Sequence, residues 1–295
     1  MVFGRSLSQT DAPAKTATAG WRPGSVTIPP RFVHHVNTHL LGNLLDVSDY
    51  PLIMWIVGRP GMGKTWQLRK HLELLDFEVF SVSAADLESK DAGEPAKLLQ
   101  RRYLEAGRSL ANGKPASLVV DDIDTTVGEW ETHTGTVNHE GILAFLMHIA
   151  DRPTAIESVG SVRRVPVFFT GNDANRLYAP LVRHGRTVKF PWNPKRDEKL
   201  DVVSSILGAQ DSQKEDVERL VDKYPDEPIS FFSQLAVARA VGIVSASASA
   251  ATFTAVLRGD ESHAADLRQS IRSAQAGTDW LAAAAELATE EKSDA

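Results

Sequence analysis

The most informative residues for predicting the fold of this chain are Gly58-Arg59-Pro60-Gly61-Met62-Gly63-Lys64-Thr65. It fits the pattern G-x-x-x-x-G-K-[ST] of phosphate-binding loops, which requires a buried strand before it and a helix after it. Both neighbours are predicted, because residues 52–57 (LIMWIV) form an apolar run and residues 65–75 (TWQLRKHLELL) space their apolar side chains as a helix does. The sequence therefore predicts a nucleoside-triphosphate site where a strand runs into a helix.

The residue types of this loop suit the phosphates of ATP. Backbone N–H groups must approach the phosphates closely, and Gly58, Gly61 and Gly63 leave clearance that a Cβ would fill. Lys64 can then reach the β- and γ-phosphates, and the Thr65 hydroxyl can bind Mg²⁺. We expect ATP and Mg²⁺ as cofactors. The alternative is a glycine-rich turn that binds nothing.

Composition limits the class of protein. The chain has 295 residues, of which 42% are apolar, a net charge of −6 and no cysteine. The acidic balance disfavours nucleic acid, which needs clustered Lys and Arg, and the lack of cysteine excludes disulfides. No apolar run approaches the ~18 residues of a membrane-spanning helix, and residues 1–20 lack a signal-peptide core. We expect a cytoplasmic protein with a protein partner, and neither membrane nor nucleic acid.

The order of predicted elements indicates an α/β fold followed by helices. Residues 1–27 are rich in small and polar side chains and are predicted to be a flexible tail. Residues 28–192 alternate strands and helices, which predicts a parallel sheet wrapped by helices. Residues 193–258 are predicted to be a small all-helical domain, with residues 245–251 (SASASAA) as a linker or weak helix. Residues 259–295 are predicted to be an Ala-rich helical segment and tail.

Carboxylates follow a second predicted strand. Asp121 and Asp122 come directly after the apolar residues 118–120, an arrangement typical of the Walker B motif. In this arrangement Asp121 holds Mg²⁺ through water, and Asp122 takes the place of the glutamate that usually polarises the attacking water. Asp124 is a second candidate for the water, because alternation puts it on the same side as Asp122 if the strand continues. The alternative is a solvated acidic turn.

A third predicted strand leads to an amide and two arginines. Asn172 follows residues 165–170 and is predicted to sense the γ-phosphate from a strand between the two nucleotide-facing strands; the alternative is a turn. Arg183 and Arg186 lie just beyond it and suit a role in trans, in which they stabilise transition-state charge on a neighbouring subunit's nucleotide. The alternative for both arginines is an ordinary surface position.

Longer strings carry a more specific resemblance. Residues 86–103 (DLESKDAGEPAKLLQRRY), 170–173 (TGND) and 177–186 (LYAPLVRHGR) resemble the AAA+ module of green-type Rubisco activase, over about residues 28–242. The resemblance implies an AAA+ large domain with a helical lid and a homo-oligomeric, hexameric ring. It also implies that ATP hydrolysis drives the remodelling of Rubisco, so that inhibitory sugar phosphates leave its active site.

The resemblance also assigns roles to individual residues. It assigns Lys64 and Thr65 to Walker A, Asp121 and Asp122 to Walker B, Asn172 to the sensor, and Arg183 and Arg186 to the neighbouring subunit's site. Residues 90–94 match a first pore loop. Residues 125–141, with Trp130, His133 and His139, match a second, and we expect no metal at these histidines.

The chain departs from the family pattern in three places. The family carries a longer N-terminal domain that contacts Rubisco, whereas about 27 residues precede the module here, with Trp21 as a candidate docking residue. The positions that match the second sensor arginine hold Ala236 and Ala238, and Arg239 is the candidate substitute for nucleotide binding. We expect no extension resembling the Rubisco small subunit after the module. Two alternatives stay open: the same motor with another client protein, and a scaffold that hydrolyses ATP slowly.

Overall fold

The computed structural model describes residues 27–87, 91, 93–126, 137–156, 160–173, 178–183, 185–209, 211–276 and 278–293. In chain order the strands are β1 Ile53–Val57, β2 Glu78–Val82, β3 Ala116–Val120, β4 Ala155–Ile156, β5 Gly160–Ser161, β6 Val167–Gly171 and β7 Thr187–Pro191. The helices are α1 Pro30–Leu44, α2 Lys64–Leu74, α3 Ala84–Leu87, α4 Glu94–Ala111, α5 Ile123–Thr126, α6 Val137–Asp151, α7 Arg196–Leu207, α8 Lys214–Lys223, α9 Ile229–Ser247, α10 Ala250–Leu257, α11 Glu261–Ala276 and α12 Trp280–Ser293.

A parallel sheet forms the centre of the first half of the chain. Within the described residues its strand order is β2-β3-β6-β1-β7, and every pairing in it is parallel. The strands β1, β3 and β6 are buried along their whole length, as expected for strands covered by helices on both faces. The order confirms the predicted α/β fold and places β6 between β3 and β1, so the three motif-bearing strands end side by side.

The edge strand β7 is the part of this sheet that the sequence pattern does not predict. Its residues Thr187–Pro191 include an exposed lysine and end in proline, which weakens the strand signal. The strand pairs with β1 in register, with Ile53 opposite Thr187 and Val57 opposite Pro191. An edge position tolerates proline, because an outward N–H is not needed for the ladder. This strand carries the chain from the arginine segment back to the phosphate loop.

Two apolar clusters cover the two faces of the sheet. One joins alternate residues of the strands to α4 and α6 and includes Trp55, Tyr103 and Phe169. The other joins the remaining strand residues to α1 and α2 and includes Phe32 and Trp192. Side chains alternate across each strand, so one set of strands supplies both clusters. Burial of this kind stabilises the chain by about 25 cal/mol for each Å² of apolar surface removed from water.

A salt bridge ties the first helix to the start of the helical region. Arg31 of α1 donates to both carboxylate oxygens of Glu198 at 2.8 and 2.7 Å and to the Asn193 carbonyl at 2.9 Å. Its guanidinium also lies 4.7 Å from the ring centroid of Trp192. These contacts raise the pKa of Arg31 and lower that of Glu198, because each partner stabilises the charged form of the other. The junction between the sheet and the helices is thereby held by charge as well as by packing.

The helical region has its own core, and the C-terminal helix belongs to it. Val203 and Leu207 of α7, Leu220 of α8 and Phe232 of α9 pack with Trp280 of α12, which is 1% exposed. The 245–251 stretch spans the end of α9 and the beginning of α10, where the Ser249 hydroxyl accepts the Thr252 N–H at 3.1 Å. The division of the helical region into two segments, at residues 193–258 and 259–295, stays a prediction.

Replacing Trp280 with alanine tests this packing. We expect Trp280→Ala to destabilise the protein by about 3–5 kcal/mol, because a large buried side chain would leave a cavity in the helical core. Chemical denaturation measures the change. Val237→Ala on the exposed face of α9, where the side chain is 53% exposed, is the control and is expected to cost less than about 0.5 kcal/mol. Equal stabilities for the two variants would contradict the packing role of Trp280.

One helix in the described part of the chain has the length and composition of a membrane span. Within α9, the residues Ile229–Ala246 have a mean hydropathy of 1.5. The window is not an uninterrupted apolar run, because Ser233, Gln234 and Arg239 lie within it. Phe231, Phe232 and Leu235 of the same helix are buried in the helical core. Core helices pass the same test of length and composition, so the observation carries little weight.

Candidate nucleotide-hydrolysis site

The phosphate loop is fixed at its start by backbone contacts with two neighbouring strands. The Gly58 N–H donates to the Gly171 carbonyl at 3.2 Å, and the Trp192 N–H donates to the Val57 carbonyl at 2.7 Å. A Cβ on Gly58 would lie 2.1 Å from the Trp192 carbonyl oxygen, so only glycine fits. The Trp192 indole N–H donates to the Met62 carbonyl at 2.9 Å, inside the loop itself. The end of β7 therefore helps to shape the loop.

The loop also contacts the helical region directly. The Ser230 N–H at the beginning of α9 donates to the Gly61 carbonyl at 3.0 Å. Gly61 has a positive φ of 72°, and a Cβ there would lie 2.3 Å from the Ser230 hydroxyl. The buried Lys199 amine holds the preceding segment by donating to the Tyr224, Pro225 and Glu227 carbonyls at 3.2, 2.7 and 2.6 Å. The glycine is therefore required on two grounds, its backbone conformation and the close approach of α9.

A polar cavity of about 380 Å³ lies over the loop, with Lys64 at its floor. The cavity is lined by Pro60, Gly61, Gly63, Lys64, Thr65, Trp66, Asp122 and Asn172. The Lys64 amine donates to the Gly58 and Arg59 carbonyls at 2.7 and 3.0 Å and to the Asn172 side-chain oxygen at 2.9 Å. Burial lowers the pKa of Lys64, and the neighbouring carboxylates oppose that shift. A buried ammonium in a polar cavity fits an anionic ligand.

The Walker B carboxylate Asp121 is held from two sides. Its Oδ1 accepts from the Thr170 hydroxyl at 3.2 Å, and its Oδ2 pairs with the Arg69 guanidinium of α2. The Thr65 hydroxyl lies 3.2 Å from the same Thr170 hydroxyl. The structure therefore brings together Thr65 and Asp121, the two predicted Mg²⁺ ligands. A hydroxyl and a carboxylate are oxygen ligands of the kind that Mg²⁺ prefers, so these residues fit the ion.

Asp122 faces the cavity from the turn after β3. Its φ is 50°, a left-handed conformation that non-glycine residues rarely adopt. Burial raises the pKa of its carboxyl, and the charges of Asp121 and Asp124 raise it further, while Lys64 and hydrogen bonding from Asn172 oppose the shift. Asp122 therefore faces the cavity, and its action on the attacking water stays a prediction.

Asp124 is buried beneath the sensor residue and does not line the cavity. It is 3% exposed, and its Oδ2 accepts the backbone N–H groups of Asn172 and Asp173, each at 2.8 Å. Its Oδ1 has no hydrogen-bond partner among the described residues. A Cβ on Gly171 would lie 2.8 Å from that oxygen, so the chain must pass close to it. Between the two candidates for the water, the geometry favours Asp122, while Asp124 orients the sensor segment.

Comparison with known proteins agrees with this geometry. Residues 54–192 match the family described as AAA, the ATPase family associated with various cellular activities. These residues form an AAA ATPase domain. The match covers the phosphate loop, the Walker B acids, the sensor and the arginine segment, and it confirms the AAA+ resemblance. An AAA domain is a nucleotide-binding domain, which agrees with the cavity over Lys64.

Several curated relatives resemble more of the chain than the AAA domain alone. The ribulose bisphosphate carboxylase/oxygenase activase of Anabaena sp. (strain CA / ATCC 33047) is 42% identical over 220 residues, which are 72% of this chain and 53% of that protein. The chloroplastic activase of Chlamydomonas reinhardtii is 39% identical over 216 residues, 70% of this chain and 53% of that protein. The chloroplastic activase of Spinacia oleracea is 38% identical over 220 residues, which are 72% of this chain and 47% of that protein. The chain thus spans about half the length of these relatives.

The two predicted arginine residues of the AAA domain have different surroundings. Arg186 donates to both carboxylate oxygens of Asp151 at 2.6 and 2.7 Å and to the Pro180 carbonyl at 2.8 Å, all in its own chain. Arg183 is exposed, and it forms no ion pair within the described ranges. Neither lines the cavity over Lys64. A role for both in a neighbouring subunit's site stays a prediction, with Arg183 the more accessible.

Other predicted residues lie away from the AAA cavity or outside the described residues. Arg239 is exposed, and its Nε donates to the Thr278 hydroxyl at 3.1 Å instead of lining the cavity. Ala236 is buried in the helical core, and Ala238 is exposed. Trp21, Trp130 and His133 lie outside the described residues, as do residues 90 and 92 of the first predicted pore loop and residues 127–136 of the second. His139 lies in α6, and the described residues contain no cluster of metal-ligating side chains.

The AAA site includes two side chains that sequence reasoning missed. Arg69 is separated from Lys64 by about one turn of α2 and reaches Asp121 on the neighbouring strand. Thr170 is the residue before Gly171 in the sensor string and is fully buried. The alternation of strand side chains puts Thr170 on the same side as Asn172, which is a signal that the sequence contains. No sequence signal indicates that Arg69 would point at Asp121.

Proposed function

We propose that this chain is an ATP-driven AAA+ motor that assembles as a homo-oligomeric, hexameric ring and remodels Rubisco, releasing inhibitory sugar phosphates. The observation that carries the proposal is the convergence of Lys64, Asp121, Asp122 and Asn172 at the ends of β1, β3 and β6. The similarity to activases named for ribulose bisphosphate carboxylase supports Rubisco as the client. Because the chain spans about half the length of those relatives, Rubisco as the client and the hexameric ring are both part of this proposal.

Each residue in or beside the cavity would have a separate role in ATP hydrolysis. ATP would supply the phosphoryl group, with Mg²⁺ to neutralise developing charge on the phosphate oxygens. Lys64 would bind the phosphates, and Thr65 and Asp121 would hold Mg²⁺. Asp122, whose carboxyl has a raised pKa, would take the proton of the attacking water. Asn172, hydrogen-bonded to Lys64 at 2.9 Å, would orient that water.

The remaining charge would come from the next subunit. The transition state spreads negative charge over the oxygens of the transferred phosphoryl group, and an arginine supplied in trans stabilises it. Arg183 is exposed and available for this task, and Arg186 lies in the same segment, anchored by Asp151. A ring would then share each site between two chains. The acidic net charge supports a protein client over nucleic acid.

Reactivation of inhibited Rubisco tests the client. We expect carboxylation to recover when sugar-phosphate-inhibited Rubisco is incubated with the protein, ATP and Mg²⁺, and to stay inhibited with ADP. The Lys64→Ala variant is the matched control and is expected to give no recovery. ATP hydrolysis by the wild type without any recovery of carboxylation would reject Rubisco as client and leave a motor for another protein. Turnover no faster than that of the control would favour a nucleotide-dependent scaffold.

A further inference from the structure

We infer that Thr170 is a positioning residue that arranges the Mg²⁺ ligands and the catalytic turn through a single buried hydroxyl. The inference rests on the proposed function, since it concerns the same hydrolytic site. Thr170 lies on β6 between the strands that carry the Walker A and Walker B motifs. Its side chain is fully buried and does not line the cavity. It would therefore act through other residues, without contact with the nucleotide.

The Thr170 hydroxyl contacts three groups, which use its whole hydrogen-bonding capacity. Thr65 Oγ1, Asp121 Oδ1 and the Asp122 backbone N–H each lie 3.2 Å from Thr170 Oγ1. A hydroxyl has one hydrogen to donate and two lone pairs to accept with. One donated bond and two accepted bonds therefore satisfy it completely. A side chain without this hydroxyl would leave at least the Asp122 N–H without this partner.

The direction of each hydrogen bond follows from its partners. A backbone N–H can only donate, so Asp122 donates to Thr170, and an ionised carboxylate can only accept, so Thr170 donates to Asp121. The remaining bond must then run from the Thr65 hydroxyl to Thr170. The hydroxyl hydrogen of Thr65 therefore points towards β6, and the lone pairs of the Thr65 oxygen stay available to bind a cation. Thr170 thus sets the orientation of both predicted Mg²⁺ ligands.

The third contact supports a strained backbone. Asp122 has a φ of 50°, which costs free energy in a residue with a side chain. Its N–H bond to Thr170 holds the residue in that conformation, with the carboxylate towards the cavity. Asp121 is held on its other oxygen by Arg69, so loss of Thr170 would free one of its two oxygens. The Thr170 side chain would therefore affect both the residue that holds Mg²⁺ and the residue that activates water.

Two substitutions separate the hydroxyl from the shape of the residue. Thr170→Val keeps the size and removes the hydroxyl, whereas Thr170→Ser keeps the hydroxyl and removes a methyl group. Each variant is titrated with a fluorescent ADP analogue in saturating Mg²⁺ and in EDTA, and the Mg²⁺ concentration at half-maximal ATPase activity is measured. We expect Thr170→Val to raise that Mg²⁺ concentration about tenfold, because loss of a residue that hydrogen-bonds to metal ligands weakens metal binding on this scale. Its affinity in EDTA should match the wild type, and Thr170→Ser should behave like the wild type.

The outcomes divide clearly. Equal losses of affinity in Mg²⁺ and in EDTA would indicate a merely structural role and overturn the inference, as would a Thr170→Ser variant no better than Thr170→Val. Should Thr170→Val fail to fold, Thr170→Cys keeps a group of similar size with weak hydrogen bonding, and a smaller shift in the same direction is expected. A wild-type protein that hydrolyses no ATP in saturating Mg²⁺ would reject the proposed function itself, which the variants alone cannot do.

Discussion

Lys64→Ala is expected to lower the rate of ATP hydrolysis by at least about 100-fold, the scale on which loss of one preorganised transition-state contact acts. Lys64 is 6% exposed and is the ammonium at the floor of the cavity, held by the Gly58 and Arg59 carbonyls and by Asn172. Alanine would remove the positive charge that meets the phosphates. Phosphate release measured at saturating ATP checks the result.

A lysine outside the cavity supplies the control for this experiment. Lys97 on α4 has a side chain that is 69% exposed and pairs with Glu94 on the same helix, an interaction worth little in water. Lys97→Ala is expected to hydrolyse ATP within about twofold of the wild type. Comparable hydrolysis by Lys64→Ala and by the wild type would contradict the assignment of the cavity as the hydrolytic site.

Arg183→Ala is expected to lower ATP hydrolysis by about 1000-fold, because an arginine supplied in trans stabilises charge that no group of the same subunit reaches. The proposed sharing of the site allows a stricter test. Subunits with Arg183→Ala and subunits with Asp122→Asn are each expected to be inactive alone. Mixed, they are expected to recover activity, because an intact acid on one chain can meet an intact arginine on the next.

Two further variants keep the mixing experiment interpretable. Arg219→Ala on the surface of α8, where the side chain is 67% exposed, is expected to leave hydrolysis unchanged, because this arginine lies outside the proposed site. Arg186→Ala breaks the salt bridge with Asp151, so its first effect is expected on the segment that presents Arg183. Unchanged hydrolysis in both Arg183→Ala and Arg186→Ala would reject the shared site. Inactive mixtures of subunits that still assemble would reject it as well.

Sequence reasoning predicts the parts of this site whose roles depend on local chain order. The loop at Lys64, the acid at Asp122 and the amide at Asn172 each follow a strongly apolar strand, and parallel strands bring their carboxyl ends together. For this reason the fold class and the central cluster of the site could be predicted without coordinates. The order of β3, β6 and β1 confirms the predicted position of the sensor strand.

The contacts that were missed depend on distances across the fold. Nothing in the local pattern indicates that Arg69 reaches Asp121, or that Asp151 binds Arg186, since each pair is far apart in sequence. Asp124 has the alternation of a cavity residue, but the chain turns into a short helix at Ile123 and its carboxylate ends up under the sensor backbone. The residues of strand β7 show only a weak preference for strand structure. The strand is stabilised by its pairing with β1, which the local sequence pattern does not reveal.

The backbone contacts of the phosphate loop limit how this protein can be recombined with its relatives. Gly58 fits against the Trp192 carbonyl, and Gly61 both receives the Ser230 N–H and leaves room for its side chain. A chimera that joins this sheet to another protein's helical region at residue 193 would keep the first contact and replace the second. The incoming segment would then have to supply a backbone N–H at the position of Ser230 to bind the Gly61 carbonyl. A helical region from another protein must therefore fit the phosphate loop as well as its own core.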